Sequence, residues 1–434
     1  MRVLFLEVDT ERSWAVASLG PAFLAPSLRR AGHEPEFLRA PLDWDDARVV
    51  AEVRARNPEL LGLSLTTRQW QRARALVAAL RAELDVPVVA GGLHPTFAPE
   101  EVLARPGFDY AVLGEGEGPI VDLANALAAG GDGRGIDNVW VRGGGRPKLR
   151  PPFEPLDGLP WMDRDFLDEH HGVIHMTTQR GCPFPCTYCG ARMFDQLYAE
   201  EGERYGRRRS HESVLQELEA IRAARTLAYV IFLDDTFTIN HPWVKGYCPL
   251  HRERIGVSFS LHARVETVSE PLLRLLADAG CKHITYGVES GSERIRRDVM
   301  RRPVANQRFK DVFRWTREAG ILVTANYMLG LPGETPADLQ ATLDLAEELE
   351  AEDFGYFVFY PYPGTQLFKH CLEQGYLPPD YQDLPAVHRR SILRLPTLTQ
   401  ADIDDCYERF TALRARQSAK RAGAAHVQES ASTG

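Results

Sequence analysis

Short apolar runs alternate with helical patterns along the first third of the chain. Uninterrupted apolar runs predict buried strands, which fall at Arg2–Val8, Glu59–Leu65, Val88–Ala90 and Tyr110–Leu113. Apolar residues near helical spacing follow, at Pro21–Ala31, Trp70–Leu84 and Ile120–Ala129. Continuous apolar strands separated by helices are typical of a parallel sheet covered on both faces. We therefore predict an α/β fold that begins with a Rossmann-like, doubly wound domain over residues 1–145.

A second run of strands and helices begins near residue 173. Its six predicted strands are Val173–Thr178, Tyr229–Leu233, Val257–Leu261, His283–Val288, Leu322–Met328 and Phe354–Phe359. Helical patterns between them include Glu212–Arg225, Glu270–Ala279 and Ala337–Ala351. Six such units predict a partial (β/α)6 barrel over residues 173–375, with its functional groups at the carboxyl ends of the strands.

Glycine and proline mark the boundary between the two regions. Gly130–Lys148 is rich in glycine and predicts a hairpin or connector around Asn138–Val141, and the proline-rich Pro151–Trp161 predicts extended chain, so we place a linker at residues 146–172. Residues 376–434 form a small extension, with an amphipathic helix predicted at Gln400–Arg416 and disorder from Ala422.

Composition excludes several classes of protein. The 434 residues carry a formal net charge of −9, which argues against a nucleic-acid-coating protein. No apolar run reaches the roughly 18–20 residues of a membrane span. The first residues lack the basic region and cleavage site of a signal peptide, so we expect a cytoplasmic protein.

Three of the seven cysteines form a CxxxCxxC motif at Cys182, Cys186 and Cys189. It follows a predicted strand, and its prolines favour a loop. Three thiolates suit a soft metal, and they can hold three irons of a 4Fe–4S cluster while the fourth stays open. Structural zinc is the alternative, but zinc needs a fourth ligand, and the nearest histidine, His175, lies on the strand. Chance clustering is the third interpretation.

This motif, with Tyr188 before its third cysteine, resembles the signature of the radical SAM superfamily, and the resemblance continues for about two hundred residues. It implies that S-adenosylmethionine (SAM) chelates the open iron and is cleaved to a 5′-deoxyadenosyl radical. It also implies an external electron donor such as a flavodoxin, a ferredoxin or a dedicated reductase. No catalytic residue is assigned. The residues that the resemblance assigns to SAM are Tyr188, Asp234, Asp235, His262, Arg264, Glu289, Ser290 and Gly330.

These assignments differ in chemistry. One of the two aspartates is expected to receive the SAM ammonium and the other to cap the next helix. Arg264 suits the SAM carboxylate, and Glu289 in a GVESGS segment suits the ribose hydroxyls. Each segment alone would also fit ordinary turn chemistry.

The first domain resembles the cobalamin-binding domain that precedes many radical SAM enzymes. Residues 19–34, 60–67, 88–96 and 109–118 carry the resemblance, but the DxHxxG motif that supplies a cobalt ligand is absent. We therefore predict cobalamin without a protein histidine on cobalt, and Arg68 or Trp70 on its lower face. Each feature has an alternative interpretation. The glycines would also fit ordinary turns, and His94 would fit a hydrogen-bonding residue of a loop. The domain as a whole would then be a relic that binds no cofactor. The candidate cobalamin residues are Thr66, Arg68, Trp70, Gly91, Gly92, His94, Gly114, Glu115 and Gly116.

Three functions compete. The first is methylation of an unactivated carbon of a small-molecule substrate in secondary metabolism, with methylcobalamin as the methyl donor. The second is radical dehydration, cyclisation or rearrangement without methyl transfer. The third is a non-enzymatic iron–sulfur or zinc scaffold or sensor.

Overall fold

The computed structural model describes residues 1–10, 19–167 and 169–432, with side chains described as far as residue 421. Two compact units divide the chain. The first comprises Met1–Glu169, Met193–Arg208 and Tyr362–Thr365, and the second comprises His170–Arg192, Arg209–Pro361 and Gln366–Gly434. In the described part of the chain, no helix combines the length and apolarity needed to cross a membrane.

A six-stranded sheet forms the centre of the first unit. Its strands are β1 (Arg2–Val8), β2 (Glu34–Ala40), β3 (Leu60–Ser64), β4 (Val88–Gly91), β5 (Tyr110–Val112) and β6 (Val139–Val141). Its helices are α1 (Leu19–Arg30), α2 (Asp46–Arg56), α3 (Thr67–Glu83), α4 (Leu93–Phe97), α5 (Pro99–Ala104) and α6 (Glu117–Ala128). The strand order is β2-β1-β3-β4-β5-β6, and all neighbours are parallel except β5 and β6.

Both faces of this sheet are buried. Leu4 and Leu6 pack into one apolar cluster, whereas Val3 and Phe5 pack into another. Successive side chains of a strand point to opposite faces, so β1 is apolar at nearly every position. The chain adds β2 on one side of β1 and the later strands on the other side, so the strand order changes direction between β1 and β3. Ligands of such sheets bind at the carboxyl ends of the strands next to this point.

Two strands differ from the sequence prediction. β2 was not predicted, since Pro35 and charged residues interrupt its apolar pattern, and as an edge strand it tolerates both. The segment expected to be a hairpin or connector contains β6, which pairs with β5 and buries Val139. An antiparallel edge strand needs only a short connection, which the glycine-rich segment supplies.

The second unit is built on a fully parallel sheet of six strands. The remaining strands along the chain are β7 (Val173–Met176), β8 (Gln179–Arg180), β9 (Arg207–Arg208, in the first unit), β10 (Tyr229–Phe232), β11 (Ser258–Ala263), β12 (Cys281–Glu289), β13 (Leu322–Leu329) and β14 (Asp353–Val358). The order β14-β13-β12-β11-β10-β7 leaves β7 and β14 as edges, so the barrel is partial. The predicted α/β class and its two sheets are confirmed.

The remaining helices alternate with these strands and form the C-terminal extension. They are α7 (Gly190–Ala199), α8 (His211–Ala224), α9 (His241–Leu250), α10 (Glu270–Asp278), α11 (Asn306–Glu318), α12 (Pro336–Leu349), α13 (Gln366–Glu373) and α14 (Gln400–Ser432). α14 packs against β14, where Phe410 stacks on Tyr356 with ring centroids 5.2 Å apart. The helix continues to Ser432, whereas the sequence analysis expected disorder from Ala422. Alanine and other good helix formers in this segment favour the continuation, and the last two residues lie outside the described ones.

Candidate active site

A cavity of about 240 Å³ lies in the second unit, lined by residues at the carboxyl ends of its strands and by the cysteine loop. All three cysteines of the CxxxCxxC motif line it, and none is in a disulfide. Gly181, at a φ of +87°, turns the chain before Cys182. The strand ends and this loop therefore bring together the groups that the sequence placed in one site.

The arrangement of the thiols fits a cluster better than a single ion. Among the described residues, no three His, Cys, Asp or Glu side chains converge as ligands of one metal ion. Zinc needs such convergence, whereas each thiolate of a 4Fe–4S cluster binds its own iron, so the sulfurs stand apart around a shared space. Burial raises the pKa of Cys182 and that of Cys189, the latter to about 12, so thiolates here need a cationic partner.

Arg264 lies beside the cysteine loop. Its Nη1 donates to the Cys186 sulfur at 2.9 Å, and its guanidinium sits 3.9 Å from the centre of the Phe184 ring. Its Nη2 forms an ion pair with Glu266. A guanidinium held next to the cysteines stands where the carboxylate of an iron-chelating amino acid would be received.

The two aspartates after β10 have different surroundings. Asp234 is buried and accepts hydrogen bonds from the Thr178 amide (2.8 Å), the Thr178 hydroxyl (2.9 Å) and the Gln179 amide (2.8 Å). Asp234 therefore ties β10 to the end of β7. The sequence analysis expected one of the two aspartates to cap the next helix, and Asp234 does not do so. Asp235 lines the cavity, which leaves it as the carboxylate for an ammonium group.

Glu289 belongs to a buried network of charges. Its backbone adopts a φ of +70°, its Oε1 lies 3.9 Å from Nη1 of Arg302, and the Tyr188 hydroxyl donates to it. Burial raises the pKa of Glu289 although Arg302 and Arg264 oppose the shift. Gly287 lines the same wall, and a side chain there would collide with the Glu289 carboxylate. The carboxylate is thus held against the cavity, as a partner of hydroxyl groups would be.

Arg302 and Glu266 complete this network, and the sequence analysis missed both. Arg302 is buried, and its Nε and Nη2 donate to Glu266 at 3.2 and 3.1 Å. Burial opposes the charge of Glu266, yet Arg302 and Arg264 lower its pKa to about 2. Glu266 follows the predicted Arg264 by two residues, which was a usable signal, whereas nothing near Arg302 distinguished it from neighbouring arginines.

Two residues expected to bind SAM lie outside the cavity. Ser290 is fully buried, with its hydroxyl 3.3 Å from that of Thr342. Gly330 turns the chain after β13 at a φ of +79°, and its amide donates to Glu334 at 2.8 Å. Both stabilise the connections that follow β12 and β13. A third, Asp234, also lies outside the lining, whereas the cavity is lined by the remaining predicted residues, Tyr188, Asp235, His262, Arg264 and Glu289.

In the first unit, Trp70 packs inside the domain. It is 2 % exposed, and its Nε1 donates to Glu101 at 2.5 Å. Helix α3 starts at Thr67, so Trp70 shares a buried face with Ala73 and Val77. This packing leaves Trp70 almost no exposed surface, and its place on the lower face of a corrin stays a prediction. Thr66 begins α3 in a capping box with Gln69, and Arg68 lies in its first turn.

His94 is also enclosed. Its ring stacks on Trp70 with centroids 4.9 Å apart, and its Nδ1 lies 3.3 Å from the Thr67 hydroxyl. Burial lowers the pKa of His94 to about 3. A neutral ring packed in this way offers no exposed nitrogen to cobalt. At the same edge, Leu93 is 42 % exposed, an apolar surface that suits contact with a large macrocycle.

The glycines at the strand ends serve close packing within the unit. A side chain at Gly92 would meet the Leu65 backbone at 2.9 Å, and one at Gly114 would collide with the Tyr198 hydroxyl. A side chain at Gly116 would press on Leu24, whereas Gly91 has ordinary room. Among these four glycines, only Gly91 would accept a side chain at ordinary contact distance, so close packing alone accounts for glycine at the other three.

Glu115 is bound within the protein. Its carboxylate accepts from Arg207 Nη2 at 2.6 Å and Nη1 at 3.1 Å, and from the Phe153 amide at 2.9 Å. Both charged side chains are nearly buried, so this pair joins the β5 loop to two distant segments of the first unit. These hydrogen bonds give Glu115 a structural role, and its corrin contact stays a prediction.

Glu115→Gln is expected to lower the free energy of unfolding by about 3 kcal/mol, because it leaves the Arg207 charge buried without its partner. Urea denaturation followed by circular dichroism measures the change. Asp122→Asn is the matched control, since Asp122 pairs with Arg150 at an exposed position and should change stability by less than about 1 kcal/mol. Equal stability of Glu115→Gln and Asp122→Asn would contradict the structural role.

Comparison with known families decides between the remaining classes. Residues 176–346 match the radical SAM superfamily, and residues 15–124 match the B12-binding domain. The chain belongs to the cobalamin-dependent radical SAM family. The cofactors of its two domain families are a 4Fe–4S cluster, SAM and cobalamin, as the sequence analysis predicted, and the chain is a radical SAM enzyme.

Individual relatives of this radical SAM enzyme differ in what they catalyse. It is 28 % identical to an uncharacterized methyltransferase, PH0819, of Pyrococcus horikoshii, over 83 % of this chain and 79 % of the relative. It is 26 % identical to the anaerobic magnesium-protoporphyrin IX monomethyl ester cyclase of Rubrivivax gelatinosus, over 85 % and 70 %. The methyltransferase TsrM of Kitasatospora setae, solved with tryptophan and a SAM analogue, shares the fold with a TM-score of 0.69 at 23 % identity, over 86 % of this chain and 76 % of TsrM.

Proposed function

We propose that this radical SAM enzyme is a cobalamin-dependent methyltransferase that methylates an unactivated carbon of a small molecule in secondary metabolism. The observation that carries the proposal is the single cavity in which three free cysteines meet Asp235, Arg264 and Glu289. The match of the first unit to B12-binding domains and the similarity to a protein named a methyltransferase favour methyl transfer. An external electron donor would supply the reducing equivalents.

Within the cavity, each side chain has a distinct task. Cys182, Cys186 and Cys189 would bind three irons, which leaves the fourth iron open to the amino acid part of SAM. Asp235 would receive the ammonium group, and Arg264 the carboxylate. Glu289 would accept hydrogen bonds from ribose hydroxyls and fix the orientation of SAM. When bound, the cofactors supply the radical and the methyl group.

In the first unit, the carboxyl-terminal edge of the sheet would hold cobalamin. Thr66, Arg68 and Gly91 lie at the ends of β3 and β4, and Leu93 adds exposed apolar surface. Since Trp70 is buried, Arg68 is the side chain we assign to the lower face of the corrin. Because the ring of His94 is enclosed, we propose that no protein histidine binds the cobalt.

The similarity to a cyclase favours a second candidate, in which a radical reaction proceeds without methyl transfer. The two candidates differ in whether the first unit holds cobalamin and whether that cobalamin accepts a methyl group.

Anaerobically reconstituted full-length protein is expected to retain cobalamin through desalting and to transfer labelled methyl from SAM to it. Leu93→Glu should reduce the retained cobalamin, because a charge would be buried against the macrocycle. Absorbance spectra and the elution of radiolabel with cobalamin measure both effects. Leu322→Glu is the control, since Leu322 is 55 % exposed at the start of β13. Protein that retains no cobalamin yet still cleaves SAM would favour the second candidate.

A further inference from the structure

One wall of the cavity carries uncharged polar side chains. His262, Thr285 and Asn326 line it from β11, β12 and β13. His262 pairs with Thr285 in register, and Gly287, two residues along the same face, pairs with Asn326, so the three form a diagonal row. Burial lowers the pKa of His262, which makes its ring neutral at pH 7.

These three side chains make no hydrogen bond to any other group among residues 1–10, 19–167 and 169–421. The charged side chains lie further along the ends of the same strands, where Arg264, Glu266, Glu289 and Arg302 bind one another. A row of neutral donors and acceptors without protein partners is a surface prepared for a ligand's polar groups.

An exposed aromatic ring, Phe357, lies beside Asn326 outside the cavity lining, and it meets the His388 ring edge-on with centroids 5.7 Å apart. Phe357 on β14 is 40 % exposed, although the alternate residues Phe354 and Tyr356 pack against Phe410 of α14. Phe357 therefore points to the inner face of the sheet, as does Gly355, which pairs with Asn326. A side chain at Gly355 would lie 2.8 Å from Asn326 Oδ1 and 2.9 Å from the Phe357 ring, so the amide and the ring flank one point.

We propose that Thr285, Asn326 and Phe357 form the substrate subsite, and that it takes a planar, uncharged ring bearing a hydrogen-bonding group. This inference rests on the proposed function only in so far as it identifies the ligand as the substrate, because the subsite would bind the same ligand whether or not methyl transfer follows. The Phe357 ring would stack on the planar part. Thr285 and Asn326 would pair with the polar group, and a charged ligand would find no countercharge on this wall.

The adenine of SAM is itself planar and uncharged, so it is the competing occupant of this wall. If adenine occupies this wall, no other ligand can bind there once SAM is bound. Saturation of the enzyme with SAM therefore distinguishes a substrate subsite from an adenine subsite.

Three small probes test the subsite on full-length, anaerobically reconstituted enzyme saturated with SAM: benzamide, benzoate and cyclohexanecarboxamide. Benzamide is planar and neutral, benzoate is planar and charged, and cyclohexanecarboxamide is neutral but not planar. Saturation-transfer NMR titrations give their affinities without any turnover. We expect benzamide to bind about 10-fold more tightly than either of the others, the scale of one lost hydrogen bond or stacking contact.

Asn326→Leu and Phe357→Leu are each expected to weaken benzamide binding about 10-fold, on the same scale. Gly355→Ala should also weaken it, because the added methyl displaces both side chains. Phe153→Leu, at a ring 44 % exposed in the first unit, should bind benzamide as the wild type does. If Asn326→Leu does not fold, Asn326→Asp replaces it and should weaken benzamide binding.

Equal affinities of the three probes, or benzamide binding unchanged in both the Asn326 and Phe357 variants, would overturn the proposal. Benzamide binding that appears only without SAM would assign the wall to adenine and overturn it too. The proposed function fails by a different result, namely the absence of methyl transfer to cobalamin in enzyme that still binds benzamide.

Discussion

Replacement of Cys182, Cys186 or Cys189 by alanine is expected to abolish the reductive cleavage of SAM to 5′-deoxyadenosine. Each thiolate binds a different iron of a 4Fe–4S cluster, so the loss of one exposes a second iron and releases the cluster. No described cysteine outside the motif lines the cavity, so none replaces the lost ligand. Iron and acid-labile sulfide content, together with deoxyadenosine measured by mass spectrometry, report the loss.

Cys371→Ala is the matched control for these variants. Cys371 is a buried free cysteine in an apolar cluster, so its removal tests for a general effect of losing a thiol. We expect this variant to keep the iron content and SAM cleavage of the wild type. Undiminished deoxyadenosine production in all three motif variants would refute the cluster assignment.

Apolar periodicity was sufficient to predict most of the fold. Strands such as β10 and β13 are buried on the face toward their helices, and their runs of apolar residues are visible in the sequence alone. β2 was not predicted because it is an edge strand, which tolerates Pro35 and charged residues, and these residues obscure the apolar pattern of a strand. The pairing of β6 with β5 was not predicted, because three residues between glycine-rich segments are too few to show the periodicity of a strand.

The sequence was sufficient to bring together site residues that lie in a motif or at a strand end. It was not sufficient for a residue whose burial depends on which face of a helix it occupies. The three cysteines, Asp235 and Arg264 lie together as expected, since strand ends of a barrel converge. Trp70 follows β3 closely in the sequence, but its spacing to Ala73 and Val77 puts all three side chains on one buried helix face.

Networks of charge were not predictable in the same way. Asp234 and Asp235 are adjacent in the sequence, and only the folded chain shows that Asp234 is satisfied by the end of β7. Arg302 lies far from Glu266 in sequence, and a single sequence carries no signal for such a pair. The pair nevertheless determines the electrostatics of one side of the cavity.

Arg302→Met is expected to lower the free energy of unfolding by about 1–3 kcal/mol at pH 7, because Arg302 is buried but its partner Glu266 is partly screened by solvent. It leaves the partly exposed carboxylates of Glu266 and Glu289 with Arg264 as their nearest countercharge. The variant is also expected to lose affinity for SAM, because a protonated or displaced Glu289 binds ribose hydroxyls less well. Urea denaturation and SAM titration measure the two effects.

The dependence on pH separates this electrostatic effect from a simple loss of packing. Arg302 and Arg264 stabilise the folded protein by lowering the pKa of Glu266 to about 2, from near 4.5 when unperturbed. Since the folded pKa is the lower one, this stabilisation is complete above pH 4.5 and disappears as the pH falls toward 2. The stability difference between wild type and Arg302→Met should therefore shrink over that range, whereas a packing defect would be independent of pH. Arg274→Met, which breaks an exposed pair with Glu270, should change stability by less than about 1 kcal/mol at any pH. Wild-type stability of Arg302→Met would show that Arg264 alone neutralises both carboxylates.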